Sequence, residues 1–380
     1  MTLYDLNGNE SAEITKIRGR GAFRRRVMEM GLLVGERITV IRKAPFNDPI
    51  EYEIKGYKII LRNVDAKLIE VVKTSSTSEK SSSIETFISS SDNRMSLESG
   101  KNISIALIGN NTSGKTTIFN HCTGLNERVG NYAGVTIEQK KHLVEYKGYK
   151  ITFYDLPGIY SLSGNQQEKK LVRDFLHNTL PDIIINVVDA NNLERNLFLT
   201  TDLIDSDMKV IMAMNMYDDF IKSGNLFDVE ALGKITGVPV VPVTAIKNKG
   251  IEDLLRRSIE VYEDKDRDQR HVHINYGEQL EKSIKNIQAK LKTEENSFMI
   301  NMVSSRFLAI KLLQNDHISK EQVRKCANQE DIFNVVEKEK EQIEKLYKIS
   351  SEQLITDYKF GFINGALKET LQAAKENRKS

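Results

Sequence analysis

Gly109-Asn110-Asn111-Thr112-Ser113-Gly114-Lys115-Thr116 follows G-x-x-x-x-G-K-[ST] in full, directly after the apolar run Ile105 to Ile108. Such a stretch predicts a strand that ends in a glycine-rich turn, whose backbone N–H groups cradle phosphate. Lys115 would reach the β- and γ-phosphates, and the Thr116 hydroxyl would hold magnesium. The helix-like Thr117-Ile118-Phe119-Asn120 then puts Thr117 at the mouth of the same loop.

Three further segments narrow the chemistry. Asp155-Leu156-Pro157-Gly158 follows Ile151 to Tyr154, so Asp155 at a strand end can serve magnesium and the Gly158 N–H can sense a γ-phosphate. Asn215-Met216-Tyr217-Asp218 follows the apolar run Val210 to Met214, and the Asp218 carboxylate can accept both N–H donors of guanine. Thr244-Ala245-Ile246 follows Val240 to Val243, where a backbone N–H can meet the guanine oxygen. D-x-x-G alone is a common turn. In this order, each at the carboxyl end of a strand-like run, the segments point to guanine nucleotide, because ligands of open α/β sheets bind at strand ends.

The elements that must position these loops alternate strand and helix from residue 101 to about 265, with strands expected at 103–108, 151–154, 183–188, 210–214 and 238–243 and a closing helix at 251–261. From 266 to 380 the pattern turns to long helices, at 277–291, 304–313, 320–327, 331–347 and 355–374, with no strand signal among them. Residues 1–73 carry short alternating strands around a helical stretch, Ala22 to Leu32, in which Phe23, Val27, Met30 and Leu32 share a side and Gly31 stops the helix. Between them lies a joint at 74–100: of the 25 residues from Ser75 to Ser99, eleven are serine, which predicts a flexible linker. The chain is therefore expected to be multidomain: a small β-barrel, an α/β phosphate-loop domain and an all-α domain.

Composition removes other classes. With 380 residues, a formal net charge of +2 and 28% charged residues, there is no basic stripe for nucleic acid, and Arg24, Arg25 and Arg26 read as a solvated face. Cys122 and Cys326, the only cysteines, form no framework or thiolate metal site. His271 and His273 lack a third ligand and read as a polar edge or hinge. No segment reaches the roughly 18–20 apolar residues of a membrane span, so a soluble chain is expected.

Together these residues resemble the amino-terminal part of bacterial ferrous iron transport protein B, fused behind a ferrous iron transport protein A domain. In the first unit the likeness rests on Arg24, Arg26, Met28 to Leu32, Gly35, Arg42, Ala44-Pro45, Asp48-Pro49, Gly56 and Leu61-Arg62. It implies an SH3-like interaction module. Gly130 to Thr136 looks like the family's first switch, in which Thr136 would meet magnesium in the triphosphate state. Asp155 to Leu162 looks like its second switch, and Tyr276-Gly277, Arg306 to Leu313 and Tyr358 to Gly365 look like its helical domain. The resemblance implies GTP and GDP as ligands, GTPase activity resting on Lys115, Thr136 and Gly158, and magnesium at Thr116, Thr136 and Asp155. It also implies a membrane domain as partner, contacts made by the barrel, and a place on the cytoplasmic face of the bacterial inner membrane. Self-association is left open, and excision from a longer protein is the expectation.

Three positions depart from the family pattern. Thr112 stands where asparagine is usual and where potassium is associated; a neutral hydroxyl on a different stem argues against potassium stimulation. Ile159 follows Gly158 where many small GTPases place a water-orienting glutamine, so hydrolysis should be slow, with backbone groups or the first switch orienting water. Met216 replaces a common lysine, leaving guanine selection resting on Asp218. Two alternatives stay in play: a broader NTPase of the same fold, and a nucleotide-switched interaction module with little turnover.

Overall fold

A computed structural model describes residues 1–18, 23, 27, 30–44, 48–73, 101–125 and 140–372. The chain divides into two compact units, residues 1–102 with 147–149, and residues 103–146 with 150–380. The serine-rich joint, the Gly130–Thr136 stretch and Arg24 to Arg26 lie outside the described residues.

In the first unit, strands β1 (Ser11–Ile17), β2 (Arg37–Lys43), β3 (Ile50–Ile54), β4 (Tyr57–Leu61) and β5 (Ile69–Lys73) form one sheet in the order β4-β3-β2-β1-β5, and the short helix α1 (Asn63–Ala66) precedes β5. The period-2 pattern works as expected. Ile50, Tyr52 and Ile54 are buried on one face while Glu51 and Glu53 face outward. Lys55 and Gly56 both take positive φ between β3 and β4, the backbone that closes a tight hairpin. Among the described residues, β4 and β5 end the ladder, so what is observed is a small antiparallel sheet. Phe23, Val27 and Leu32 are buried and Met30 is 38% exposed. The Leu32 N–H returns to the Val27 carbonyl at 3.0 Å across Gly31 (φ 82), the geometry of a helix stop.

In the second unit, β6 (Lys101–Gly109), β7 (Lys140–Tyr146), β8 (Tyr149–Asp155), β9 (Ile183–Asp189), β10 (Val210–Asn215) and β12 (Val240–Pro242) form a six-stranded sheet in the order β12-β10-β9-β6-β8-β7. β6, β9, β10 and β12 run parallel. Every residue of β9 and β10 is buried, as strands covered on both faces must be, which is why they read as continuous apolar runs. β7 was not foreseen. Lys141, Leu143 and Glu145 are exposed and His142, Val144 and Tyr146 half-buried, and because Leu143 lies on the exposed face at 55% the sequence shows no apolar alternation that would mark the strand.

Helices α2 (Lys115–Thr123), α3 (Gln167–Thr179), α4 (Leu193–Asp205), α5 (Tyr217–Lys222), α6 (Val229–Thr236) and α7 (Ile251–Tyr262) accompany this sheet, with a two-residue strand β11 (Leu226–Phe227) before α6. Beyond them come α8 (Gly277–Leu291), α9 (Ser297–Met302), α10 (Ser305–Leu313), α11 (His317–Val323), α12 (Gln329–Tyr347) and α13 (Ser351–Thr370). α8 buries Leu280, Ile284, Ile287 and Leu291, one stripe of a 3.6-residue period. One apolar cluster runs without a break from Ile108 and Val188 through Leu203 to Leu308 and Ile355, so sheet and helices share a core. Two expectations need correcting. The helix placed at 320–327 sits at 317–323, because Asp316 caps it by accepting from the Ser319 N–H. The helical part is also not free of strands: α13 stops at Thr370, and β13 (Leu371–Gln372) pairs antiparallel with β11.

Candidate functional site

The parallel strands deliver their carboxyl ends to one edge. β6 ends at Gly109, and Ser113 closes the following loop by donating to the Asn110 carbonyl through its N–H at 3.3 Å and its Oγ at 2.9 Å. Gly114 then takes φ 83 as the residue that opens α2, and a Cβ there would collide with Asn215 Nδ2. The glycine is needed because Asn215 sits against it.

Asn215 ties two loops together. Its Nδ2 donates to the Ser113 carbonyl at 2.9 Å, and its Oδ1 accepts from the Ala245 N–H at 3.0 Å. Asn215 thereby holds the phosphate loop and the Thr244–Ile246 loop in one piece, and the Ala245 N–H of that base-side loop is engaged by it. Thr244 is pinned by its N–H to the Lys249 carbonyl at 3.0 Å, while Ile246 is 85% exposed at the rim. Met216 takes φ 59 at the start of α5, turning Asp218 to the same edge. Lys247 hydrogen-bonds Asp218 at 2.5 Å, and that bond holds the carboxyl below its ordinary range.

At the other end of the loop, Lys115 Nζ meets Asp155 Oδ1 at 2.5 Å and Thr116 Oγ1 donates to Asp155 Oδ2 at 3.2 Å. Lys115, Thr116 and Asp155 are all buried. A hydroxyl and a carboxylate side by side offer the oxygen donors that hard divalent cations take. Asn110 is 4% exposed, and both polar atoms of its carboxamide lack a hydrogen-bond partner among the described residues. A buried amide in that condition is normally satisfied by ordered water or a ligand. Thr112 takes φ 69, a conformation β-branched residues rarely adopt. Thr117 follows in the first turn of α2, half-buried. Ile159 is 2% exposed and belongs to the core, and its N–H donates to the Gly109 carbonyl at 2.9 Å. Gly158 lies against Asn111 Oδ1. Thr136 lies outside the described residues.

A second polar constellation, which sequence reasoning missed, adjoins the tail of the Asp155–Leu162 segment. Asp202 on α4 is fully buried; it accepts from the Leu162 N–H at 2.7 Å and pairs with Lys311 (2.7 Å) and Lys359 (2.5 Å). Lys311 also donates to Ser163 Oγ at 2.6 Å, and Asp316 accepts from the Gly164 N–H at 3.3 Å while pairing with Arg173. Asp205, 3.3 Å from Lys359, accepts from the Tyr276 hydroxyl at 2.6 Å. Burial alone would raise the Asp202 carboxyl, but Lys311 and Lys359 hold it far below the usual range. Burial pushes Lys311 down to about 8 and lifts Asp205, while Asp202 and Asp205 overcome burial to raise Lys359. The signal was present in the sequence as a lysine inside the apolar run Phe307 to Leu313. His271 and His273 bring their Nε2 atoms to 2.9 Å, with His271 Nδ1 on Asp207 at 2.7 Å. Among the described residues no group of three potential ligands forms a metal cluster.

A phosphate loop, a D-x-x-G aspartate beside its lysine and threonine, and an N-x-x-D strand end, joined at the carboxyl edge of a parallel sheet, define a P-loop GTPase domain. Residues 103–258 match the family model described as Ferrous iron transport protein B, residues 1–73 match the FeoA domain, and residues 276–372 match the FeoB cytosolic helical domain. The Fe(2+) transport protein A/Fe(2+) transporter FeoB fusion protein of Porphyromonas gingivalis is 36% identical over 410 residues, covering 100% of this chain and 48% of that protein. The Fe(2+) transporter FeoB of Methanocaldococcus jannaschii is 38% identical over 273 residues, covering 72% of this chain and 39% of its own length. The chain thus spans about half or less of these relatives. Among solved structures, S. thermophilus NFeoB bound to GDP.AlF4- and K+ is similar with a TM-score of 0.59 and 35% identity, over 70% of this chain and 99% of that one. The mGMPPNP-bound NFeoB from S. thermophilus gives 0.60 and 34%, over 73% and 99%. The chain belongs to the ferrous iron transport protein B family, with a FeoA domain ahead of its GTPase and helical domains.

Proposed function

We propose that this chain is the GTP-binding, GTP-hydrolysing regulatory head of a ferrous iron transporter. The observation that carries the reading is the convergence of Lys115, Thr116 and Asp155 at one end of a loop that Asn215 ties to the base-side loops at the other. Lys115 and the N–H groups of residues 110–117 stabilise charge on the β- and γ-phosphates. Thr116 and Asp155, with Thr136 in the triphosphate state, would hold magnesium, which would supply positive charge against the phosphates. Asp218 accepts the N–H donors of guanine, beside Met216 and the Thr244–Ile246 loop. Gly158 follows the terminal phosphate, and its loss frees a segment whose tail is bonded to Asp202, Lys311 and Asp316. Those bonds support a relay from nucleotide to helices. The part of the protein that continues beyond this head carries the iron, works in the bacterial inner membrane with the head on its cytoplasmic face, and is its main partner; the FeoA domain binds within or between proteins.

Steady-state phosphate release with magnesium tests this, comparing GTP with ATP in potassium and in sodium, with Lys115→Ala beside the parent. GTP-preferring turnover that falls by roughly a thousandfold or more in Lys115→Ala is expected, since the lysine acts on transition-state charge. Equal ATP turnover would instead establish the broader NTPase. The buried Ile159, which has no polar atom for water, favours slow turnover and keeps the nucleotide-switched interaction module as the second reading; tight GTP binding without multiple turnover would select it.

A further inference from the structure

At position 159, where a water-orienting side chain often stands in small GTPases, this chain offers none. Ile159 is buried in the core and its backbone N–H is held by Gly109. Among the described residues, the group that does reach Gly158 is the Asn111 carboxamide. A Cβ built on Gly158 would collide with Asn111 Oδ1, and would crowd the Asn111 backbone nitrogen at 3.0 Å. Asn111 is exposed at the mouth of the phosphate loop, in contrast to Asn110, which is turned inside. Two successive residues therefore place one amide in the protein and one over the glycine that follows the terminal phosphate.

We infer that Asn111 is a catalytic residue for hydrolysis, its carboxamide orienting the water that a glutamine at position 159 would otherwise orient. This rests on the GTPase reading and extends it. An amide suits the task because it carries an acceptor for a water proton and donors for a phosphate oxygen in one planar group. It stays neutral, so it adds no repulsion toward the anionic nucleotide, and it sits on a loop anchored by Ser113 and Asn215. The contact also means that a side chain at position 158 would displace the amide.

The step is a hydrolysis, in which a water oxygen forms a bond to the γ-phosphorus, the bond from that phosphorus to the β–γ bridging oxygen breaks, and the released proton goes to phosphate. Asn111 neither gains nor loses a proton.

The test compares the parent chain with Asn111→Ala by single-turnover GTP hydrolysis in magnesium, alongside affinity for a non-hydrolysable GTP analogue and thermal unfolding. The expected result is a fall in the hydrolysis rate of roughly 10–100-fold, the range for a positioned polar group, with analogue affinity held within about threefold and the unfolding temperature unchanged. An unchanged rate with tight analogue binding overturns the inference and hands water orientation to backbone groups. A faster rate overturns it too, since the amide would then be an obstruction. Failure of the parent chain to bind the analogue would instead strike the GTPase reading itself, so the two failures are distinguishable.

Discussion

Two buried lysine–aspartate constellations stand in the same compact unit, and they differ in how completely their polar groups are satisfied. At the phosphate loop Lys115 meets Asp155, with an amide at Asn110 that lacks a partner among the described residues and a β-branched residue at positive φ. Below the second-switch tail, Lys311 and Lys359 share Asp202, and Lys311 is also bonded to Ser163 and Gln314. The first is an arrangement whose partners can be exchanged for a ligand. The second is more nearly closed: side chains of Lys311, Lys359, Asp202 and Asp205 have no exposure at all, and of the carboxylate oxygens there Asp205 Oδ1 lacks a hydrogen-bond partner among the described residues. Unsatisfied groups and strain collect where a site must change partners, whereas closed networks hold elements in register.

The sharpest way to break this contrast is to open the closed network. Lys359→Met keeps much of the volume but leaves Asp202 and Asp205 short of a cation in a fully buried site. Breaking a buried pair from one side costs about 3–5 kcal/mol. Urea unfolding should register that loss, and adding Asp205→Asn, which removes the stranded charge while keeping a partner for Tyr276, should return part of it. A loss under about 1 kcal/mol would mean the network is no more closed than the phosphate loop.

Why one constellation was legible in the sequence and the other was not follows from chain separation. The phosphate loop is eight consecutive residues whose spacing is itself the chemistry, and the parallel strands beneath it are buried on both faces, so Ile183 to Val188 and Val210 to Met214 stand out as apolar runs. The Asp202 network draws on residues 162, 202, 311 and 359, which only the packing of helices on the sheet brings together. Its lysines lie in helical runs whose apolar neighbours conceal them. β7 escaped because its half-buried face carries His142 beside Val144 and Tyr146 while Leu143 sits on the exposed face, so apolarity does not follow the strand's burial period. Spacing marks Asn215 as part of the Asn215–Asp218 motif, but it carries no information on which loops its amide ties together.

A smaller effect tests the exchangeable site at its base end. Asp218 is hydrogen-bonded to Lys247 on a loop that also carries Ile246, so its carboxylate is held ready rather than locked in a network. Asp218→Asn swaps one acceptor for a donor and leaves one guanine N–H unpaired. GTP affinity should fall by roughly 100-fold, with ATP affinity little changed, as expected when a site built for two hydrogen bonds loses its match. Fluorescence titration with labelled nucleotides checks it. Equal losses for both nucleotides would place Asp218 in loop stability instead of base recognition.

The smallest effect concerns backbone strain at the loop itself. Thr112 occupies φ 69, where a β-branched side chain crowds the backbone, whereas asparagine tolerates that region because its short polar side chain bonds locally. Thr112→Asn should therefore stabilise the domain by about 1 kcal/mol, seen as a rise of a few degrees in unfolding temperature. The same change places an amide carbonyl at the position that the family resemblance associates with potassium. If the strain is only structural, the variant gains stability and turns over equally in potassium and sodium. If Thr112 is what withholds the cation, the variant also gains a potassium-dependent rate. Stability and salt response separate the two, because chloride salts of the two cations at equal ionic strength screen surface charges alike. A variant less stable than the parent would show that the threonine is accommodated by contacts stronger than the strain it carries.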